Sequence, residues 1–315
     1  MDNKFDGWPH IIKAQQFSRE WIEKEFFPLT KNMEKISKNG LENRILFGKI
    51  MITFFYEPST RTRFSFEMAM FHWGGQVCQT ENAGEFSSAV KGETLKDTIL
   101  VLNRLRPDVI VLRHHEEGSA ALAASISSVP IINAGDGIGQ HPTQALLDVY
   151  TIYKKFGTLD DISVAMVGDL MNGRTVRSLS YLLGKFKNIR IYFVSPSCAR
   201  MKTDIKEYLE KHGVVISETN DLRLVANKVN VIYQTRTQKE RGTNFDKNDH
   251  NLGYFVVDNS ILDLMIKDAI IMHPLPRVDE INTEVDKDPR AIYLTDQVES
   301  GLHTRMALLK MILAP

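Results

Sequence analysis

Cysteine is scarce in this chain, since its 315 residues include only Cys78 and Cys198. Two cysteines cannot form a zinc site by themselves, and the spacing of this pair matches no metal-binding motif. We predict no metal ion and no cofactor, and we interpret both side chains as free thiols in a reducing compartment.

An excess of charge is also absent, because Lys plus Arg and Asp plus Glu both number 39. A neutral chain has no general attraction for nucleic acid, so we predict no such partner and expect any anion site to be a local cluster. No apolar run is long enough to span a bilayer, and the N-terminal MDNKFDGWPH lacks the pattern of a signal peptide. We predict no membrane partner and a cytoplasmic location, or an organellar one if a transit peptide has been removed.

What the sequence does contain is an alternation of short apolar runs with amphipathic ones. Eight runs are typical of buried parallel strands: KIMITFFY, DVIVLRH, VPIINAG, ISVAMVGD, IRIYFVS, VNVIYQT, YFVVD and AIIMHPL. Helical patterns lie between them, with the apolar sets Phe64, Met68, Phe71 and Leu95, Ile99, Leu102 each on one helix face.

This alternation predicts an α/β fold of two doubly wound parallel-sheet domains, joined by interdomain helices, with the active site in the cleft. We place the first domain at residues 1–148 and the second at 149–296, and we expect a helix at 297–315 to pack back on the first. The run HPTQALLDVYTIYKKFG predicts a joining helix that ends at Gly157. Ligands of open α/β sheets collect at the carboxyl ends of strands, so motifs that directly follow strands are candidate sites.

The segment EPSTRTRFS, Glu57–Ser65, follows a predicted strand and opens a predicted helix, and we call it the phosphate loop. Free N–H groups at a helix N-terminus attract anions, and arginine adds a charged fork that matches phosphate. A simple helix cap with solvated arginines is the plainer alternative, but the alternation of hydroxyls and arginines favours a phosphate site. Arg63 is the weaker candidate, because one of the two arginines can face away and serve the structure. The predicted phosphate ligands are Ser59, Thr60, Arg61 and Thr62.

The run Ser-Thr-Arg-Thr-Arg within this loop resembles the carbamoyl-phosphate signature of the aspartate and ornithine carbamoyltransferases. The resemblance extends from the strand before Glu57 to the C-terminal helix. It implies carbamoyl phosphate as a substrate and attack by an amine without a covalent enzyme intermediate. It leaves the identity of the amine open.

Three further residues of the donor site lie after predicted strands. Arg113 ends the run DVIVLRH, and His141 and Gln144 lie in HPTQ. The resemblance implies that Arg113 contacts the phosphate and the carbonyl oxygen, His141 the carbonyl oxygen, and Gln144 the amide nitrogen. Attack on the carbonyl creates an oxyanion that needs donors, for which Thr62, Arg113 and His141 are the candidates.

The residues after Arg113, His114 to Glu117, include two histidines and two glutamates. Neighbouring side chains of an extended strand point to opposite faces, which disfavours a metal site. We interpret these four residues as solvated loop residues.

Lys91 lies in the polar run SSAVKGETL and by itself would be interpreted as a solvated lysine. In the resembling enzymes, the matching serine and lysine come from a neighbouring subunit. The resemblance therefore implies a homotrimer with shared active sites, to which Ser87 and Lys91 contribute. Ser87 is assigned by counting back through residues that depart from the expected sequence. A separate regulatory chain is a further possible partner.

The acceptor site is expected in the second half of the chain. Aspartate has two carboxylates, which arginine forks bind well, and Arg174, Arg236 and Gln238 are the candidates. Arg241 is assigned to structure, because the resemblance pairs it with an acid, Glu57 in this chain.

The segment HPLPR, His273–Arg277, is the acceptor turn. Its two prolines fix φ and present the carbonyls of Pro274 and Leu275 rigidly, as neutral acceptors for an attacking amine. This turn and TRTQKER resemble the aspartate enzymes, whereas ornithine enzymes carry a cysteine in the turn. Asn172 stands where the resemblance predicts tyrosine, which leaves family-type loop regulation in question.

The predicted activity is transfer of the carbamoyl group from carbamoyl phosphate to the α-amine of L-aspartate, in pyrimidine biosynthesis. One alternative is a carbamoyltransferase that acts on ornithine or another amine. Another is a nucleotide-binding regulator or oxidoreductase, although AGDGIGQ and VGDLMNGRT lack the G-x-G-x-x-G spacing. An inactive scaffold is a third, and the presence of both half-sites argues against it. The predicted catalytic residues are Arg61, Thr62, Lys91, Arg113 and His141.

Overall fold

The computed structural model describes residues 10–39, 44–236 and 255–314. Within these ranges the chain forms two compact units. One unit runs up to Tyr150 and takes up the residues from Glu299 onward, and the other spans Thr151–Val298. Each unit contains one parallel sheet. The expected fold of two parallel-sheet α/β domains is therefore confirmed.

The first unit is built around a four-stranded sheet. Its strands are β1 (Ile50–Phe55), β2 (Gln76–Thr80), β3 (Val109–His114) and β4 (Ile131–Asp136), in the order β2-β1-β3-β4. Its helices are α1 (Arg19–Trp21), α2 (Phe27–Asn39), α3 (Thr60–His72), α4 (Ala83–Phe86), α5 (Leu95–Arg104) and α6 (Ser119–Ile126). A π-helical segment, Ile22–Phe26, joins α1 to α2.

The second unit is built around a five-stranded sheet. Its strands are β5 (Ser163–Val167), β6 (Arg190–Val194), β7 (Val215–Thr219), β8 (Val231–Gln234) and β9 (Ile270–Met272), in the order β7-β6-β5-β8-β9. Its helices are α8 (Arg174–Leu183), α9 (Thr203–Lys211) and α10 (Asn259–Leu264). The unit boundaries fall within the two remaining helices, α7 (Pro142–Phe156) and α11 (Asp296–Leu313).

Seven of the eight apolar runs form strands, and YFVVD is the exception in its described part. Val257 makes only a single parallel bridge with Ile281. The next residue, Asp258, already caps α10, because its side chain accepts the N–H group of Ile261 at 3.1 Å. The helix start therefore ends the extended segment before a strand can form.

Two strands, β2 and β7, were not predicted from the sequence. Both are edge strands, and neither contains a buried residue. The other two edge strands, β4 and β9, are fully buried and were predicted, so it is the partly solvated, polar character of β2 and β7 that leaves them without an apolar run.

The apolar pattern of Phe64, Met68 and Phe71 predicts the helix α3 correctly, but these three side chains lie largely outside the core. Phe64, Met68 and Phe71 are 49%, 49% and 53% exposed, whereas Phe66 and Met70 are fully buried. The large apolar side chains on the outer face of α3 are thus about half exposed among the described residues of this chain.

The helix α7 ends as predicted, because Gly157 has a φ of +75°, the left-handed conformation that glycine adopts at little cost. The first unit also holds α11, since the indole N–H of Trp73 donates to the Met306 carbonyl at 2.9 Å. No helix among the described residues is both long and apolar enough to cross a membrane.

Candidate active site

The phosphate loop lies at the carboxyl end of the first sheet, between β1 and α3. Ser59 is the N-cap of α3, and its hydroxyl makes no capping hydrogen bond. Thr60 and Arg61 are exposed, and Thr62 is 8% exposed. The hydroxyls, the Arg61 side chain and the first N–H groups of a thirteen-residue helix thus share one turn, which suits an oxyanion.

Arg63 is turned toward acidic and amide side chains of the same unit. Its guanidinium lies 3.0 Å from Glu81 Oε2 and 3.9 Å from Glu67 Oε1, and it also donates to Gln79. Glu67 in turn accepts from the Thr53 hydroxyl at 3.0 Å. These contacts tie α3 to β1 and β2, and they assign Arg63 to the structure of the loop.

Glu81 is a member of this site that the sequence did not reveal. Its Oε1 accepts the backbone N–H of Ser59 at 3.1 Å, while its Oε2 is paired with Arg63. It follows β2, the edge strand that has no apolar signature, so nothing in the sequence placed it at the carboxyl edge. Glu81 neutralises Arg63 and fixes the start of the loop.

Arg113 lies beside the phosphate loop, because β1 and β3 pair with Phe55 opposite Arg113. Its Nη1 donates to the Ala134 carbonyl at 3.2 Å, and its Nη2 lies 3.3 Å from Glu57 Oε2. The expected partner of Glu57, Arg241, lies outside the described residues. Among those described, Glu57 is paired with Arg113, and this contact holds the guanidinium at the loop.

His141 and Gln144 are placed by α7, which begins beyond the end of β4. His141 is 4% exposed, and its carbonyl accepts the N–H groups of Gln144 and Ala145 at 3.1 Å. The amide nitrogen of Gln144 donates to Asp148 Oδ1 at 3.0 Å. This contact orients the amide so that Oε1 is the atom available to accept a ligand N–H group.

The Asp148 carboxylate opposes the charge of a buried arginine, Arg305, that no sequence pattern singles out. Arg305 of α11 is 3% exposed, and its guanidinium lies over the Phe66 ring of α3, 5.0 Å from the ring centre. Burial lowers the pKa of Arg305 to about 10, while the Asp148 carboxylate acts in the opposite direction. Arg305 therefore packs against α3, and its charge is opposed by a carboxylate of α7; both helices carry donor-site candidates.

The interpretation of the four residues after Arg113 as solvated is wrong for His114, which is only 5% exposed. Its Nδ1 accepts the Glu116 N–H at 3.0 Å and lies 2.9 Å from the Ser119 hydroxyl. Burial, followed by the charge of His115, lowers the pKa of His114 to about 4, so the ring is neutral near pH 7. No cluster among the described residues has enough His, Cys, Asp or Glu to hold a metal ion.

Ser87 and Lys91 lie between β2 and α5. The Ser87 hydroxyl donates to the Ala83 carbonyl, which fixes it to the last turn of α4. Lys91 is exposed at the end of a 3₁₀ turn, Ser88–Lys91, and pairs with no described residue of its own chain. Its ammonium group is therefore available to a ligand or to another subunit.

Two predicted carboxylate ligands follow neighbouring strands of the second sheet. Arg174 begins α8 beyond β5 and is 8% exposed, and Arg236 follows β8. Thr235 joins these ends, because both its N–H and its hydroxyl donate to the Val167 carbonyl at 2.8 Å. Gly168 has a φ of +109°, and a Cβ there would overlap the Thr235 carbonyl oxygen, so only glycine fits. Gln238 lies outside the described residues.

The acceptor turn follows β9, which pairs with β8, so it lies at the same carboxyl edge as Arg236. Leu275 has a φ of +54°, a left-handed conformation that costs a residue with a side chain about 1–2 kcal/mol. The Leu275–Pro276 peptide is cis. The N–H group of Leu275 donates to His273 Nδ1 at 2.7 Å, and His273 Nε2 lies 2.7 Å from Glu280 Oε1.

Arg277 anchors the far end of the acceptor turn. Its guanidinium contacts both oxygens of Asp286, with Nη2 3.0 Å from Oδ2, and donates to the Tyr293 hydroxyl at 2.9 Å. The hydrogen bond from Arg277 lowers the pKa of Asp286, and burial raises the pKa of Tyr293. These contacts give Arg277 a role in holding the turn.

The sequence matches known proteins along nearly its whole length. The chain is 56% identical over 304 residues to the chloroplastic aspartate carbamoyltransferase of Arabidopsis thaliana, which covers 96% of this chain and 77% of that protein. It is 44% identical over 305 residues to the aspartate carbamoyltransferase catalytic subunit of Pyrobaculum islandicum, covering 97% and 98% of the two chains.

The structure also matches solved enzymes and known domain families. Aspartate transcarbamoylase of Trypanosoma cruzi with carbamoyl phosphate and aspartate superposes with a TM-score of 0.90 at 40% identity, covering 97% of this chain and 95% of that one. Residues 9–154 match the aspartate/ornithine carbamoyltransferase, carbamoyl-P binding domain, and residues 160–312 match the Asp/Orn binding domain of the same enzymes. This chain therefore belongs to the aspartate/ornithine carbamoyltransferase family.

Proposed function

We propose that the protein transfers the carbamoyl group of carbamoyl phosphate to the α-amine of L-aspartate. The products are N-carbamoyl-L-aspartate and phosphate, as in a step of pyrimidine biosynthesis. The observation that carries the proposal is the placement of Arg113 beside the phosphate loop, at the carboxyl edge of one sheet. The relatives named aspartate carbamoyltransferase and the T. cruzi structure with both substrates support aspartate as the acceptor.

Carbamoyl phosphate is assigned to the domain of residues 1–148, together with the helix at 297–315. Ser59, Thr60 and Arg61 bind the phosphoryl oxygens at the start of α3. Thr62, Arg113 and His141 donate to the carbonyl oxygen, where negative charge develops during attack. Gln144 accepts from the carbamoyl N–H₂ group, because its own amide nitrogen already donates to Asp148.

Aspartate is assigned to the domain of residues 149–296. Arg174, Arg236 and Gln238 bind its two carboxylates, and forked pairing by arginine fixes orientation as well as affinity. The carbonyls of Pro274 and Leu275 accept hydrogen bonds from the α-amine. Lys91 adds a cation to both half-sites.

The reaction proceeds by direct attack of the neutral α-amine on the carbonyl carbon. A C–N bond forms while the carbonyl electrons move onto oxygen, giving a tetrahedral oxyanion. The bond between this carbon and the phosphate oxygen then breaks, and the departing phosphate takes the amine proton. Because no covalent enzyme intermediate forms, positioning and preorganised donors supply most of the acceleration.

A colorimetric assay of carbamoylated product, with aspartate and ornithine compared side by side, tests the proposal. We expect product with aspartate and none above background with ornithine, because a second carboxylate matches the two arginines and ornithine lacks it. Carbamoylation of ornithine in preference to aspartate would replace the proposed acceptor. No product with either amine would refute the function.

We further propose a homotrimer in which Ser87 and Lys91 complete the site of a neighbouring subunit. Two observations support this: Lys91 has no partner among the described residues of its own chain, and α3 exposes an outer face of Phe64, Met68 and Phe71. Contiguous large apolar side chains of this kind mark an interaction surface.

Mixing two inactive variants tests the sharing of sites. Lys91→Ala chains and Arg113→Ala chains, refolded together, regain activity in hybrids if each site takes Lys91 from a neighbour. Light scattering on the wild type gives the subunit number and detects a separate regulatory chain that copurifies. A monomeric active enzyme would contradict the homotrimer.

The location proposed for the protein is the cytoplasm, or an organelle if a transit peptide precedes this chain. Both free cysteines are exposed, which fits a reducing environment. The plant relatives are named as chloroplastic proteins. Fluorescence microscopy of the tagged product of the complete gene distinguishes the two compartments.

A further inference from the structure

A buried chain of hydrogen bonds runs from a carboxylate to the backbone of the acceptor turn. Glu280 and His273 are 7% and 2% exposed. Glu280 Oε1 lies 2.7 Å from His273 Nε2, and His273 Nδ1 accepts the Leu275 N–H at 2.7 Å. Neither side chain is among the candidate ligands for aspartate, yet both are bonded to the turn that contains Leu275.

These contacts fix which nitrogen of His273 carries the proton. A backbone N–H group can only donate, so Nδ1, which receives it, carries no proton. The ring proton is then on Nε2, where it donates to the Glu280 carboxylate. Glu280 therefore selects the one form of the ring that can accept the Leu275 N–H group.

Glu280 also holds the other end of the turn. Its carboxylate accepts the N–H groups of Val278 at 3.3 Å and Asp279 at 3.2 Å. One buried carboxylate thus bonds to the backbone after the turn and, through His273, to the backbone within it. The turn is closed on itself around this pair.

The orientation of one peptide unit follows from the same contacts. The peptide between Pro274 and Leu275 is planar and trans, so its C=O and N–H groups point in opposite directions. Because the Leu275 N–H points at the buried His273 ring, the Pro274 carbonyl points away from that ring. The left-handed φ of Leu275, +54°, also makes the unassisted turn unfavourable.

We infer that His273 and Glu280 are positioning residues for the acceptor amine. The pair holds the Pro274–Leu275 peptide so that the Pro274 carbonyl is presented to the α-amine of aspartate. This inference rests on the proposed function and deepens it, since it assigns part of the specificity for aspartate to two side chains that do not touch the substrate.

Steady-state kinetics of His273 variants in the full chain test the inference. In His273→Phe the ring remains but the acceptor is lost, and we expect the aspartate KM at saturating carbamoyl phosphate to rise about tenfold. The KM for carbamoyl phosphate stays within twofold. In His273→Asn the side-chain oxygen accepts the N–H two residues on, as asparagine does in turns, so the aspartate KM returns to within about threefold of wild type.

A matched core variant separates positioning from general loss of stability. Leu209 is fully buried on α9, which follows β6 and precedes β7, at the opposite edge of the sheet from β9. Leu209→Ala lowers the melting temperature and leaves the aspartate KM unchanged. A rise in aspartate KM in Leu209→Ala equal to that in His273→Phe would overturn the positioning role.

Two outcomes distinguish this inference from the proposed function. If wild type makes no N-carbamoylaspartate, the proposed function fails. If wild type is active and His273→Phe keeps its aspartate KM within twofold, only the positioning role fails. Should His273→Phe not fold, Glu280→Gln serves instead. The new amide N–H₂ group is a donor and faces N–H groups that the carboxylate accepted. We therefore expect the same selective rise in aspartate KM, and its absence overturns the inference.

Discussion

A buried histidine ends β3 in one unit and another directly follows β9 in the other unit, and the two make the same local hydrogen bond with different support. His114 Nδ1 accepts the N–H of Glu116, and His273 Nδ1 accepts the N–H of Leu275, two residues on in both cases. His273 is backed by the Glu280 carboxylate, whereas His114 packs against the rings of Tyr56 and His115. A histidine can thus order a turn either with a charged partner, as His273 does, or with uncharged contacts such as the Ser119 hydroxyl beside His114.

The two proposed half-sites differ in whether side chains or backbone groups contact the reacting part of the substrate. The donor half presents hydroxyls and guanidiniums to a phosphate, so its chemistry is in the side chains of the phosphate loop and Arg113. The acceptor half offers two arginines to carboxylates, but presents neutral backbone carbonyls to the amine. Side-chain ligands can be recognised in a sequence, whereas the residues that hold a backbone carbonyl in place, here His273 and Glu280, cannot.

The largest expected effect tests the donor half. Arg113→Ala removes a fixed donor to the developing oxyanion, and we expect kcat to fall by roughly two to three orders of magnitude. Arg104→Ala, an exposed arginine at the end of α5, is the control and keeps wild-type turnover. Near-normal kcat in Arg113→Ala would remove this residue from the catalytic group.

The next effect concerns Asp148, whose carboxylate opposes the buried charge of Arg305 behind the donor half. Asp148→Asn keeps an acceptor for Gln144 but leaves the buried Arg305 without its opposing charge, so we expect the free energy of unfolding to fall by about 3 kcal/mol. Asp204→Asn removes the half-exposed partner of Arg177 and loses less than about 1 kcal/mol. Urea unfolding measures both, and equal losses would show that burial of the Arg305 charge does not matter.

Arg174 tests the acceptor half. Removing a charge-assisted contact to a carboxylate costs about 1.5–3 kcal/mol, so Arg174→Ala raises the aspartate KM about 10- to 100-fold. Arg177→Ala, one turn further along α8, removes the pair with Asp204 and the contact with the Tyr181 ring, and it serves as the control. The division between half-sites breaks down if Arg174→Ala weakens carbamoyl phosphate binding as much as aspartate binding.

The sequence predicted the parts of the site whose signal is local. The phosphate loop directly follows an apolar run, Arg113 lies near the end of one, and Arg174 begins the helix after another, so strand periodicity brings all three to carboxyl edges. The fold was predictable for the same reason, apart from the two polar edge strands. Glu81, Asp148, Arg305 and Glu280 were missed because their roles depend on partners that become apparent only in the folded chain, such as Ser59, which is 22 residues from Glu81, and Phe66, which lies on a different helix from Arg305.

The orientation of α3 shows another limit. A pattern of Phe64, Met68 and Phe71 identifies a helix, but periodicity cannot tell a face that packs on the sheet from one that remains exposed. The inner face of α3 carries Phe66, Ala69 and Met70, which are equally apolar. A helix that is apolar on two faces is consistent with a second surface to cover, and the proposed trimer provides one.

The smallest expected effect sharpens the comparison of the two histidines. Burial and the neighbouring His115 lower the pKa of His114 to about 4, despite Glu116 and Glu57, which act in the opposite direction. The unfolded chain, with a histidine pKa near 6.5, therefore binds the proton more readily than the folded one. Stability contributed by the neutral ring is complete above about pH 6.5 and is lost progressively as the pH falls toward 4.

Partial solvent screening limits this loss to about 1–2 kcal/mol between pH 7 and pH 4.5. Urea unfolding of wild type and His114→Gln at several pH values measures it, since glutamine does not titrate. We expect the difference in unfolding free energy between the two proteins to shrink as the pH falls. A difference that stays constant across this range would show that the neutral form of the His114 ring does not stabilise its turn. The contrast drawn with His273 would then fail.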